Sequence, residues 1–257
     1  MASTITFSSR VETAARTDVG CVRQVNEDAF IANPNERLWA VADGMGGHQV
    51  GDVASNFIIS ELEGVRFAKS LAEATVEVEK ALQRSNENIT CYAREHFGSA
   101  TMGSTACVLL LGEHAGSTIW VGDSRLYRLR ENQLERLTRD HSQVQEMLDM
   151  GVLSETEARD HPHANVITRA VGVEDELFPE TSIFSVLPGD EFLLCSDGLY
   201  GMLEDSDILH ALKNRSVEEA VALMMEQALD RGANDNVTIL AVAVANDEYR
   251  TELPQSV

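Results

Sequence analysis

The residues in this chain that could do chemistry are aspartates placed where apolar runs stop. Leu38-Trp39-Ala40-Val41-Ala42 runs into Asp43-Gly44, Ile119-Trp120-Val121-Gly122 into Asp123-Ser124, and Phe192-Leu193-Leu194-Cys195-Ser196 into Asp197-Gly198. Asp235-Asn236 launches the run Val237-Thr238-Ile239-Leu240, and Glu27-Asp28 opens Ala29-Phe30-Ile31. Taken singly, each is ordinary turn chemistry, because Asp-Gly is a favoured dipeptide after any strand. Taken together, they support a second reading. Strand ends of one sheet layer meet at one edge, which would bring these carboxylates within a few ångströms of each other. Like charges that close call for a bound cation. Oxygen donors without patterned Cys or His select Mg²⁺ or Mn²⁺ over zinc. Arg23, four residues before Glu27, is either a surface ion-pair partner or a guanidinium placed to hold a phosphate bidentately beside such a cluster.

The elements that must position these residues are legible as alternating and apolar runs. They predict strands at about Val11–Thr17, Ala29–Ala32, Leu38–Ala42, Ser104–Leu111, Thr118–Val121, Leu126–Arg130, Leu134–Leu137, Phe192–Cys195 and Val237–Val244. Short polar links such as Asn33-Pro34-Asn35-Glu36 and Glu131-Asn132-Gln133 imply antiparallel pairing, since a parallel crossover needs a dozen or more residues. Leu71, Ala74, Val78, Leu82, Ile89 and Tyr92 recur mostly at helical steps. Shorter helices are expected at Gly51–Leu62 and Val217–Asp230. Blocks of antiparallel strands flanked by helices point to an α+β fold, a layered sandwich. From His141 to Gly172 the chain offers short helical pieces, Gln143–Met150 and Glu155–Ala158, and no strong strand, which reads as a surface insertion. With no linker or repeat to divide it, residues 1–245 are expected to form one catalytic domain and 246–257 a C-terminal tail.

Composition bounds the partners. The 257 residues include 42 Asp plus Glu against 20 Lys plus Arg, a formal net charge of −22. Neither nucleic acid nor an anionic membrane suits such a surface. No secretory signal or membrane-spanning apolar stretch is present in the sequence, so a cytoplasmic protein is expected, and a monomer. Cys21, Cys91, Cys107 and Cys195 lack the spacing of a zinc or redox motif. Their apolar neighbours predict buried free thiols.

At this point the ordered motifs resemble a known family. They are Arg23-Gln24-Val25-Asn26-Glu27-Asp28, Val41-Ala42-Asp43-Gly44-Met45-Gly46-Gly47-His48, Gly103-Ser104-Thr105-Ala106, Val121-Gly122-Asp123-Ser124-Arg125, Ser196-Asp197-Gly198 and Asp235-Asn236-Val237-Thr238. Together they look like the bacterial type 2C metal-dependent Ser/Thr protein phosphatases. The resemblance implies a four-layer α-β-β-α sandwich of two antiparallel sheets, with residues 141–172 as a flap beside the site. It further implies that Asp43 bridges two Mn²⁺ or Mg²⁺ ions. Asp197 and Asp235 would complete the first site, and the Gly44 carbonyl with Glu27 would serve the second. Asp123 with Asp197 would hold a third, weaker ion, Asp28 and Asn236 would stand behind the ligands, and Arg23 would bind the substrate phosphate. The implied reaction is direct hydrolysis of phosphoserine or phosphothreonine by a water held between two ions ~3.5–4 Å apart. The implied partners are phosphorylated Ser/Thr proteins and a cognate bacterial Ser/Thr kinase.

One departure stands out. Many members carry His after the Asp-Gly pair as the acid for the leaving group, whereas this chain has Met45 there. His141, His161 and His163 are then candidates for that acid, against the simpler reading of exposed loop histidines. Two other functions fit the same motifs: a phosphatase-like sensor module without turnover, and a hydrolase of small phosphate esters. Retention of Asp43, Asp123, Asp197 and Asp235 weighs against the sensor.

Overall fold

A computed structural model describes residues 11–46, 50–67, 70–98, 101–159 and 161–245. In chain order the elements begin with β1 (Val11–Asp18), β2 (Asp28–Asn33), β3 (Leu38–Gly46), α1 (Gly51–Glu63) and α2 (Leu71–Phe97). There follow β4 (Met102–Ser104), β5 (Ala106–Leu111), β6 (Ala115–Val121), β7 (Arg125–Arg130), β8 (Gln133–Arg136), α3 (Gln143–Asp149) and α4 (Glu155–Arg159). The chain closes with β9 (Glu180–Ser185), β10 (Glu191–Cys195), α5 (Asp197–Tyr200), α6 (Asp205–Leu212), α7 (Val217–Asp230) and β11 (Val237–Val244).

The strands form two antiparallel sheets. One has the order β1-β11-β10-β7-β8, the other β2-β3-β5-β6-β9 with β4 added to β3. Trp39, Val41, Cys107 and Leu109 of one sheet pack against Phe192, Leu194, Leu240 and Val242 of the other. On the opposite faces, Leu38, Ala40 and Val108 meet α1 and α2 through Ala54, Ile58, Val78 and Leu82. Leu193, Cys195 and Ile239 meet the helices at the far side through Ile208, Val221 and Met224. The result is the expected four-layer α-β-β-α sandwich. Its central strands are covered on both faces, which is why they read as continuous apolar runs rather than as alternation. Helix starts are set locally. Ser70 accepts from Glu73 N–H ahead of α2, and Ser216 with Glu219 closes a capping box ahead of α7.

The sequence reading needs four corrections here. The single strand expected over Ser104–Leu111 is broken at Thr105, whose N–H donates to the Asp43 carbonyl at 2.8 Å instead of continuing a ladder. β9 was not expected; as an edge strand on β6 it alternates half-buried and exposed residues, and its Glu-Thr-Ser start looks like loop. α5 and α6 were also missed, being only one or two turns long. The cysteine expectation is half right: Cys107 and Cys195 are buried, but Cys21 lies in an exposed loop and Cys91 faces solvent on α2. An apolar neighbour in sequence says nothing about which way a helical side chain points.

Among the described residues, 141–172 contain α3, α4 and only isolated bridges, Ser142 to Ile167 and Ser104 to Val171. The tail 246–257 and His48 lie outside the described residues. Among the described residues, no helix is long and apolar enough to cross a membrane.

Candidate metal centre

The strand ends deliver their carboxylates to one region. Asp28 and Asp43 stand opposite each other in the β2–β3 register. Asp197 begins α5 immediately after β10, and Asp235 precedes β11, the strand beside β10. Asp123 follows β6 in a turn where Gly122 has φ +101. Neither Gly44 nor Gly198 supplies a turn, contrary to the Asp-Gly expectation; one lies in β3 and the other in α5. Each permits close backbone approach instead. A Cβ on Gly44 would sit 2.0 Å from the Gly51 carbonyl, and a Cβ on Gly198 would sit 2.0 Å from the Asn236 carbonyl.

A net of hydrogen bonds holds these segments. Asn236 is the hinge of one half: its Oδ1 accepts from Glu27 N–H at 2.8 Å, and its Nδ2 donates to the Val19 and Val25 carbonyls at 3.0 Å each. Glu27 is bound twice more, its carbonyl by Gly44 N–H at 3.1 Å and its Oε1 by Gly51 N–H at 3.1 Å. Ser196 Oγ donates to Asp28 Oδ2 at 2.7 Å and accepts from Thr238 N–H at 3.0 Å. Thr105 Oγ1 accepts from Asp43 N–H at 3.0 Å and pairs with Ser124 Oγ at 2.7 Å, so one threonine joins the Asp43 and Asp123 segments. At the rim, exposed Arg23 places Nη2 2.6 Å from Asp235 Oδ2.

The electrostatics show that the carboxylates feel one another. Burial holds the Asp43 carboxyl well above its ordinary range, and the charges of Asp28, Asp197, Asp123 and Asp235 push it further. Burial with the charges of Asp235 and Asp28 raises Asp197 to about 7, and burial with the charges of Asp197 and Asp140 raises Asp123 to about 7. Asp28 rises to about 6, chiefly by burial, although its hydrogen bonds from Ser196 and Thr238 oppose the shift. Glu27 is raised by burial, against the Gly51 N–H and Arg23. Among the described residues, the buried oxygens Asp28 Oδ1 and Asp197 Oδ1 have no hydrogen-bond partner. Hard anionic oxygens, mutually repelling and partly unpartnered, fit divalent cations such as Mn²⁺ or Mg²⁺. The gathering is looser than the sequence argument expects: among the described residues, no three acidic, His or Cys side chains already close on one point as a finished ligand shell.

The family model described as protein phosphatase 2C matches residues 22–240, a span that takes in every one of these carboxylates. The chain belongs to the protein phosphatase 2C family. It is 36% identical over 235 residues to the serine/threonine phosphatase stp of Listeria welshimeri, covering 88% of this chain and 93% of that one. It superposes on PppA, a key regulatory component of the type VI secretion system in Pseudomonas aeruginosa, with a TM-score of 0.84 and 42% identity, over 91% of this chain and 97% of the other. The catalytic domain of the phosphatase PstP in complex with two manganese ions is similar at TM-score 0.83 and 34% identity, over 91% and 98% of the two chains. As a bacterial protein phosphatase 2C, the chain is a metal-dependent Ser/Thr phosphatase, and Mn²⁺ or Mg²⁺ is its cofactor.

The residues that sequence reasoning passed over in this phosphatase are the neutral ones. Thr105, Ser124 and Ser196 carry bonds that tie the carboxylate-bearing segments together, yet only proximity in the fold reveals it. Arg125 stacks 3.5 Å over the Tyr200 ring and binds Asp140 through two nitrogens. His141 is a further correction. It is not an exposed loop histidine but 6% exposed, stacked on Trp120, with Nδ1 accepting from Gly122 N–H at 3.1 Å. His163 fits the loop reading, being exposed and bonded to Gln143 at 2.9 Å.

Proposed function

We propose that the chain removes phosphate from phosphoserine and phosphothreonine side chains at this carboxylate centre, within one catalytic domain spanning residues 1–245. The observation that carries the assignment is Asp43, which stands within β3, opposite Asp28, under the charges of Asp28, Asp197, Asp123 and Asp235 at once. Asp43 would be shared between two ions. Asp197 and Asp235 would complete one shell, the Gly44 carbonyl and Glu27 the other, and Asp123 with Asp197 a third and weaker one. When bound, the ions supply Lewis-acid activation of the attacking water and neutralise charge building on the phosphoryl oxygens.

The protein's own residues do the rest. Arg23, at the rim and half exposed, is held by Asp235 through one nitrogen and presents its fork to an incoming phosphate. Asp28, tied to Ser196, and Asn236, tied to Glu27 and the 19–25 loop, keep the ligating segments in place. His141 is enclosed against Trp120 and engaged with Gly122, which takes it out of the running as the acid for the leaving oxygen. With Met45 after Asp43-Gly44, protonation of that oxygen is left to water or to a side chain of the 141–172 segment.

The chain is read as a cytoplasmic monomer that opposes a cognate Ser/Thr kinase, with 141–172 as the flap beside the substrate. The test is hydrolysis of a phosphothreonine peptide by the full chain with and without Mn²⁺, with Asp43→Asn as control. Turnover is expected only with metal and only in the wild type. Metal-independent turnover, or retained activity in Asp43→Asn, sinks the assignment.

A further inference from the structure

We propose that His141 is a positioning residue for the Asp123 carboxylate, and that it makes the placement of that carboxylate answer to the base of the 141–172 segment. The proposal rests on the reading of Asp123 as the ligand of the weakest ion.

The geometry is a two-point grip on a single residue, Gly122, and so on the peptide units either side of it. Gly122 N–H donates to His141 Nδ1 at 3.1 Å, and His141 N–H donates to the Gly122 carbonyl at 2.9 Å. Both polar groups of the residue before Asp123 are thus taken by one histidine. The opposite side of the turn is closed, since a Cβ on Gly122 would lie 2.6 Å from Thr105 Cγ2. The turn therefore has no slack on the Thr105 side and a hydrogen-bonded tether on the other. Because Nδ1 accepts a hydrogen bond from a backbone amide, the ring proton belongs on Nε2, which lies 3.2 Å from Glu180 Oε1 at the start of β9. Stacking on Trp120, whose Nε1 is itself fixed to the Arg139 carbonyl at 2.8 Å, sets the plane of the ring.

His141 is also where the insertion is pinned. Thr168 N–H donates to the His141 carbonyl at 2.7 Å, Ser142 bridges to Ile167, and Arg169 reaches the same Glu180 oxygen that faces His141 at 3.2 Å. Residues 167–169 leave the insertion where residue 141 enters it. A shift of this departing segment is therefore carried by one backbone bond to His141 and by its ring to Gly122. Structural partners of metal ligands of this kind change affinity by about 10–100-fold when removed.

The test is calorimetric titration of Mn²⁺ into the metal-stripped full chain, run beside kcat and KM on a phosphothreonine peptide. The variants are His141→Asn, which keeps an acceptor near the position of Nδ1; His141→Gln, which places its amide near Nε2; His141→Leu; Asp123→Asn; and the His141→Leu/Asp123→Asn double. Expected results are a weakest Mn²⁺ site about tenfold weaker in the Leu and Gln variants with the tighter ions unchanged, near wild-type binding in the Asn variant, and a double variant no worse than Asp123→Asn alone. Equal behaviour of the Asn and Gln variants overturns the proposal, as does equal weakening of every ion or additive losses in the double. If His141→Leu does not fold, the Asn and Gln pair decides alone. A wild-type chain with no weak Mn²⁺ site also overturns it, leaving the two-ion reading standing; no Mn²⁺ binding at all overturns both.

Discussion

Asp28 and Asp43 face each other across the β2–β3 ladder, two carboxylates in direct cross-strand register. Like charges in that relationship destabilise a sheet. Here one of the two, Asp28, takes a hydrogen bond from Ser196 on one oxygen and, among the described residues, has no partner on the other. On the proposed assignment a divalent cation would relieve this repulsion, and stability would then report on the metal centre.

In a chelator, stability should fall as pH rises from about 5 to about 8. Asp28 at about 6 and Asp123 and Asp197 at about 7 all lie above the ordinary aspartate value of 3.8. Across that window the folded chain holds protons that the unfolded chain has lost, so raising the pH favours unfolding. Saturating Mn²⁺ should restore the lost stability at pH 8. Melting temperatures across the range, with and without Mn²⁺, check this; a metal-free melting temperature that rises with pH contradicts it.

Arg23→Ala should act mainly on substrate affinity. A charged hydrogen-bond pair lost to the phosphate is worth about 1.5–3 kcal/mol, which is about 10- to 100-fold in KM, with kcat changed less. Steady-state kinetics on a phosphopeptide separates the two. A loss in melting temperature with unchanged KM would make Arg23 only the structural partner of Asp235.

Gly44→Ala should cost stability as well as activity. The new methyl would meet two backbone carbonyls, of Gly51 at 2.0 Å and of Glu27 at 2.6 Å, neither of which can swing away. Overpacking of this kind costs about 1–3 kcal/mol, or about 3–10 °C in melting temperature at this chain length. Gly64→Ala is the control, because its methyl meets only the Glu61 carbonyl, at 3.3 Å. Equal melting temperatures for the two variants would refute the close-approach account.

The thiols should divide into two classes. Cys21 and Cys91 are exposed, whereas burial pushes the Cys107 and Cys195 thiols far up and encloses them. Alkylation of the native chain followed by intact mass should add two adducts, and four after denaturation. Fast labelling of all four in the native state would contradict the packing of the two sheets.

Much of the fold was legible because its determinants are local. Runs such as Phe192–Cys195 and Val237–Val244 are apolar throughout since both faces of their strands are covered, and that property survives in the sequence. The helical period of α2 and α7 and the capping pair Ser216 and Glu219 are local in the same way. β9 was hidden because an edge strand needs little more than backbone pairing with β6, which leaves a weak mark on side-chain pattern.

For the site, the sequence by itself determined which residues carry charge and that they flank apolar runs: Glu27, Asp28, Asp43, Asp123, Asp197 and Asp235, with Arg23 beside them. It also bore the family's motifs in order. Only the tertiary structure decided that Asp-Gly at 43–44 and 197–198 serves close backbone approach rather than turns, that Thr105 joins the Asp43 and Asp123 segments, and that His141 is enclosed against Gly122. The physical reason is range. A residue's charge and a strand's apolarity belong to neighbours in the chain. A hydroxyl's partner 62 residues away, or the face a cysteine turns to solvent, exists only once both sheets have packed.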